Sequence, residues 1–250
     1  MATFPQSHPA QRAAETRSPL WLRIGFWICT LIAVAVVLRR LVALAAPAHN
    51  GPPQMAGLDE AFASHAALTL AHIVPALLFV LVAPFAVFRR FAHLRWPENI
   101  LFPLGAVVAL TAYAMNAFAI GGWIERSAVL FFDTLFLYSL VRAFAHRHRG
   151  EPALKRRWLL RAIAILLGIA TTRPVMAVFF ATSTATHLVP RKFFGIAFWI
   201  GFAINTLVFE IWIRSFDRPS HFADMQSGPA PVSSQGSPQI CQAPRTPELP

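Results

Sequence analysis

The chain has 250 residues, 56% of them apolar and 13% charged, roughly half the charged share of an ordinary soluble domain. A net charge of +11 would suit nucleic acid, but the charge sits in the loops between apolar runs, which excludes that reading. The two cysteines, Cys29 and Cys241, fall in an apolar run and in a polar tail, so they supply no disulfide framework.

Six apolar runs follow in chain order: Trp21–Leu38, His65–Phe88, Ile100–Ile120, Arg126–Ala145, Trp158–Ala181 and Phe193–Arg214. A hydrocarbon core of ~30 Å needs ~20 apolar residues in a helix, and lipid-facing backbone must satisfy its own hydrogen bonds. The expected fold is therefore an all-α integral membrane protein, a bundle of six transmembrane helices. Three regions are expected: an unstructured tail over 1–20, a membrane domain over 21–214, and a second unstructured tail over 215–250. The last carries seven prolines among Ser, Gln and Gly, with too little apolar surface to offset ordering entropy. Leu44-Ala45-Ala46-Pro47-Ala48 loosely resembles a signal-peptide cleavage site, but Arg39 and Arg40 interrupt the approach, so the first run reads as an uncleaved anchor. Gly105, Ala109 and Ala112 mark the third run for close helix contact.

Lys and Arg set the expected orientation. Fifteen fall on one side of the bundle, including Arg89, Arg90 and Arg95 and the group Arg142, Arg147, Arg149, Lys155, Arg156 and Arg157. Five, namely Arg39, Arg40, Arg126, Arg191 and Lys192, fall on the other. Both termini are expected in the cytoplasm of a cell with this protein in its inner membrane. The basic loops would then face anionic lipid headgroups.

Ionisable groups inside a span are costly, so they face the bundle interior and have a partner or a task. His72, Asp133 and Arg173 are of this kind. At ~1.5 Å per residue, His72 and Asp133 lie ~10 Å below the outer surface, and Arg173 lies ~22 Å above the cytoplasmic one. Tyr113 and Asn116 reach a similar layer. The expectation is an outer-leaflet polar pocket in which Asp133 and Arg173 pair, since Arg is effectively always charged. Pro75 and Pro174 free the carbonyls of Ala71 and Ala170 beside His72 and Arg173. His65 and His72 lie nearly on one helix face. A second group, Arg161, Glu210 and Arg214, reads as a salt bridge at the cytoplasmic interface.

There is no phosphate-cradling glycine loop, nucleophile elbow or zinc spacing, so the sequence offers no catalytic or metal-binding residues and points away from an enzyme. No cofactor is indicated. Haem b is the alternative to test, and it needs two deep histidines on facing helices. Only His72 is deep. His187, or His93 with His146, would have to supply the rest. Three functional readings stand: binding or movement of a small solute or protons, a haem b redox protein, and a non-catalytic scaffold acting through the tail.

Several segments resemble a bacterial membrane-protein family known as domain of unknown function 2306. They are His72-Ile73-Val74-Pro75-Ala76 running on to Val82-Ala83-Pro84-Phe85, then His93 with Trp96, Arg156-Arg157-Trp158-Leu159-Leu160-Arg161, Thr172-Arg173, and Phe209-Glu210-Ile211-Trp212-Ile213-Arg214. The resemblance covers residues 65–214. It departs from the family pattern at Lys155, where a His is usual, and at Ala83, where a Gly is usual. It implies the topology and adds no activity.

Overall fold

The computed structural model describes residues 20–45, 60, 62–91, 94, 96–186 and 190–217. Residues 1–19 and 218–250 of the expected tails, His93 and His187 lie outside these residues, while Leu20 and residues 215–217 are helical. Seven α-helices are described: α1 (Leu20–Ala45), α2 (Ala66–Val87), α3 (Trp96–Asn116), α4 (Gly122–His148), α5 (Pro152–Leu166), α6 (Gly168–Thr186) and α7 (Pro190–Asp217), with a 3-10 turn at Arg89–Phe91. There is no strand among the described residues. Six helical segments are long and apolar enough to cross a membrane, α5 and α6 together forming the fifth over Pro152–Thr182. Large apolar side chains cover the outside, with Trp123 78%, Leu20 70% and Ile211 68% exposed. Such a surface suits lipid and not water. The chain is a multi-pass membrane protein.

Local signals explain the boundaries. Between α4 and α5, Gly150 has φ +71°, a conformation that favours glycine. Gly150 N–H donates to Arg147 O and Glu151 N–H to His146 O, the paired bonds that close a helix on a left-handed residue. Pro152 then opens α5, where its missing N–H is no loss. The fifth span is not the single helix expected over Trp158–Ala181. It breaks at Leu167, where Ala170 N–H turns tightly onto Leu167 O at 3.0 Å. The Asn205 side-chain amide of α7 donates to Ala164 O at 3.4 Å, taking the carbonyl four residues before Gly168. Pro174 lacks the N–H that would serve Ala170.

Among the described residues α2 packs extensively on α3 and α4 on α5, with α3 on α4 beside them. The first helix leans on α2 and α6. The core of this layer is Phe79, Leu101, Ala109, Phe136 and Leu140. At Gly105 a Cβ would come within 2.7 Å of Leu140 and 3.2 Å of Phe79, so α3 seats here because the side chain is missing.

The last helix reaches both α4 and α6 through glycines. A Cβ on Gly195 would lie 2.6 Å from Glu125 N, and one on Gly201 would lie 2.6 Å from Thr172 N. One on Gly168 would lie 2.9 Å from Phe202 Cα. These neighbours are backbone and cannot rotate away. Phe202 also stacks on Phe132 of α4 with centroids 5.2 Å apart, so α7 sits between α4 and α6.

Gly195→Ala and Gly201→Ala should each lower stability by about 1–3 kcal/mol through overpacking. Gly25→Ala, where nothing lies within 4 Å, should be neutral or slightly stabilising. Thermal unfolding of the three variants in one detergent checks this ordering, and equal melting temperatures would contradict it.

Candidate functional site

A cavity of ≈ 270 Å³ lies inside the bundle, lined by residues from all seven helices. It occupies the half that carries the α1–α2, α3–α4 and α6–α7 connections. Most of its wall is apolar, with Phe132, Phe136, Phe194, Phe198 and Phe202 on one side. The polar groups on it are few: Arg40, His65, His72, Asn116, Glu125, Asp133 and Arg173, with Thr69. A small apolar chamber with a few convergent polar groups is the usual form of a ligand site.

Depth follows from register. Counting from that end at ~1.5 Å per residue, Glu125, Arg40 and His72 lie within ~10 Å, while Asp133 is ~16 Å and Arg173 ~20 Å down. The two deep groups carry opposite charge, but they do not form the expected ion pair. Asp133 Oδ2 and Arg173 Nε are each buried with no hydrogen-bond partner. The reason lies in the packing. The fourth helix packs on α3 and α5, α6 meets α1 and the backbone of α7, and Phe202 of α7 touches both Phe132 of α4 and Gly168 of α6. Arg173 also lies in the field of Arg39 and Arg40 on α1, which carry its own sign.

His72 is held by α3. Its Nδ1 is 3.0 Å from Thr111 Oγ1, and that hydroxyl is itself 2.7 Å from Val107 O and 3.0 Å from Val108 O. The single hydroxyl proton goes to a backbone carbonyl, so Nδ1–H donates to Oγ1. The ring lies on the cavity wall. Glu125, 8% exposed, accepts the Gly121 N–H through Oε2 and closes the α3–α4 turn. Arg40 lies over the Phe62 ring, 4.1 Å from its centroid. His65 stacks against Phe118, with ring centroids 3.8 Å apart.

Of the residues singled out from sequence, His72, Asn116, Asp133 and Arg173 all line this cavity. Asn116 Oδ1 is buried and without a partner, like Asp133 Oδ2. Tyr113 is not on the wall. Its hydroxyl lies 2.7 Å from Thr134 Oγ1, so it ties α3 to α4 instead. Glu125 and Arg40 are cavity residues that the sequence reading passed over. Arg40 was counted as a loop charge because α1 was ended at Leu38, and the helix continues to Ala45. A Glu four residues after a Gly-Gly boundary was the available signal for Glu125.

The second polar group lies elsewhere. Arg161 Nε and Nη2 donate to Glu210 Oε2 and Oε1 at 2.9 and 3.2 Å, and the guanidinium also lies 4.5 Å from the Trp158 ring centroid. His146 Nδ1 is bonded to Glu151 Oε2. His65 and His72 come from one stretch of chain, so the cavity gives haem no facing pair of histidines among the described residues. No group of three or more His, Cys, Asp or Glu suited to a metal ion occurs among the described residues.

No protein-family model, curated protein or solved structure matches this chain.

The Arg161–Glu210 pair is less than a third exposed on both sides and bonded through two atoms. A double-mutant cycle over Arg161→Ala and Glu210→Ala should return a coupling of order 1 kcal/mol in thermal or denaturant unfolding. A coupling near zero would mean the two side chains contribute independently.

Proposed function

We propose that this protein holds a small solute bearing an anionic group in its central cavity, with Arg173 as the group that receives the anion. The observation that carries this reading is the Arg173 guanidinium, deep in an apolar chamber with a buried Nε that bonds to nothing. A charge placed in membrane interior without a counter-ion is expensive, and such groups mark solute and ion pathways. Arginine matches planar oxyanions better than a point charge does, because its N–H groups form a rigid fork. At 270 Å³ the chamber is at the small end of the ~300–1,000 Å³ range for ligand sites, so the solute is small.

The protein belongs, on this reading, to the inner membrane of a bacterium, with both termini in the cytoplasm. The bias of basic residues supports that orientation, and it puts the cavity in the outer leaflet. The basic loops at the other end contact anionic headgroups. The order of motifs from His72 to Arg214 supports grouping the chain with domain of unknown function 2306. No enzyme activity is proposed.

Two experiments test this reading. In a Cys29→Ala, Cys241→Ser background, Trp123→Cys should react with a membrane-impermeant maleimide on intact spheroplasts, and Arg149→Cys only after lysis. The reverse pattern inverts the topology. For the site, detergent-purified protein should bind at least one of leucine, phenylalanine, 4-methylpentanoate and 3-phenylpropionate by calorimetry. Arg173→Gln should weaken that binding at least tenfold, which is ~1.4 kcal/mol. Equal affinity in Arg173→Gln, or binding of none of the four, would sink the proposal.

A further inference from the structure

The unsatisfied atoms of the cavity define more than an anion. They are one cationic donor, Arg173 Nε, and two acceptors, Asp133 Oδ2 and Asn116 Oδ1. All three belong to residues that line the cavity, Asn116 at the outer end of α3 and the other two deeper. Buried polar atoms without partners are uncommon and each calls for a cause. Here the cause cannot be mutual satisfaction, because α7 keeps α4 from α6 and the acid and the base do not meet.

Building on the solute site above, we infer that the solute is a zwitterion with an apolar body, of the amino-acid type. Its carboxylate lies against Arg173, and its ammonium donates to Asp133 Oδ2. An acid with no amino group would satisfy Arg173 and leave Asp133 a buried anion without a counter-ion. An amine with no carboxylate would do the reverse. Only a molecule with both charges leaves neither of the two deep atoms orphaned. The charge count agrees, since a neutral zwitterion adds no net charge to a chamber whose deep groups are one Asp and one Arg. The remaining wall is aromatic and aliphatic, with Phe132, Phe198 and Phe202 facing the same space. That wall suits a branched or aromatic side chain and gives a polar one nothing to bond.

The test compares matched probes on the full-length protein in detergent by calorimetry: phenylalanine, 3-phenylpropionate, which lacks the amino group, and phenethylamine, which lacks the carboxylate. Phenylalanine should bind at least tenfold tighter than either. Asp133→Asn should weaken phenylalanine at least tenfold and leave 3-phenylpropionate within about twofold, so that the two converge. Arg173→Gln should weaken phenylalanine and spare phenethylamine. Asp133→Asn is close to isosteric, and an unchanged melting temperature verifies that the variant is folded. If it does not fold, Asp133→Ser takes its place, with the same preferential loss of phenylalanine expected.

If 3-phenylpropionate binds as tightly as phenylalanine and both depend on Arg173, the zwitterion is wrong while the anion site stands. If phenethylamine binds tightest, Asp133 and not Arg173 governs the site and both readings fail. Binding of none of the three overturns the inference. The wider panel above then decides whether the solute site itself survives.

Discussion

The close seat of α7 between α4 and α6 is what the interior depends on. Three glycines, Gly168, Gly195 and Gly201, let backbone meet backbone or a ring where any Cβ would collide. In lipid there is no hydrophobic force to press helices together, so packing of this kind carries association. Once α7 is seated, Phe202 stacks on Phe132, and α4 and α6 cannot close on each other. The separation of Asp133 from Arg173 is therefore a consequence of glycine placement on α6 and α7. A bundle with larger residues at these positions would have to repack before acid and base could approach.

Much of the architecture could be read from the sequence, because membrane spanning is a strong constraint. Apolar length and the absence of charge located all six spans, and the tight Gly105 contact followed from small residues on one face. The ends of helices were harder to read. Leu38 was taken as the end of the first span because Arg39 and Arg40 follow it. A helix does not stop at a charge when the charge can reach an aqueous cavity or a ring, and Arg40 lies over Phe62. The break at Leu167 was also hidden. Nothing local forces it except Gly168 and Pro174, and its stabilising bond comes from Asn205 on another helix.

The same division runs through the site. That His72, Asn116, Asp133 and Arg173 reach one cavity agrees with counting residues along antiparallel helices, although the helix bounds spread them from the outer end at Asn116 to ~20 Å down at Arg173. Their lateral arrangement does not follow from such counting. Whether two residues at equal depth touch depends on which helices are neighbours, and periodicity does not carry that information. The expected Asp133–Arg173 pair failed for this reason, and Tyr113 turned towards Thr134 for the same one. By contrast Arg161 and Glu210 do meet, because no third helix intervenes between their turns of α5 and α7.

The two acid–base pairs make a physical contrast within one chain. Arg161 and Glu210 satisfy each other through two bonds, and Trp158 covers the guanidinium. That arrangement is complete and needs nothing further. Asp133 and Arg173 cost the fold more, because each keeps an unsatisfied atom in an apolar surround, at about 1–3 kcal/mol for an orphaned polar atom. A membrane bundle has easy remedies for such a cost, since a Leu at either position would pack against Phe132 or Ile169 with no polar group to satisfy. Structural glue would take the form of the first pair. The second pair is held apart, both residues lining the cavity and each keeping an atom that no other side chain satisfies.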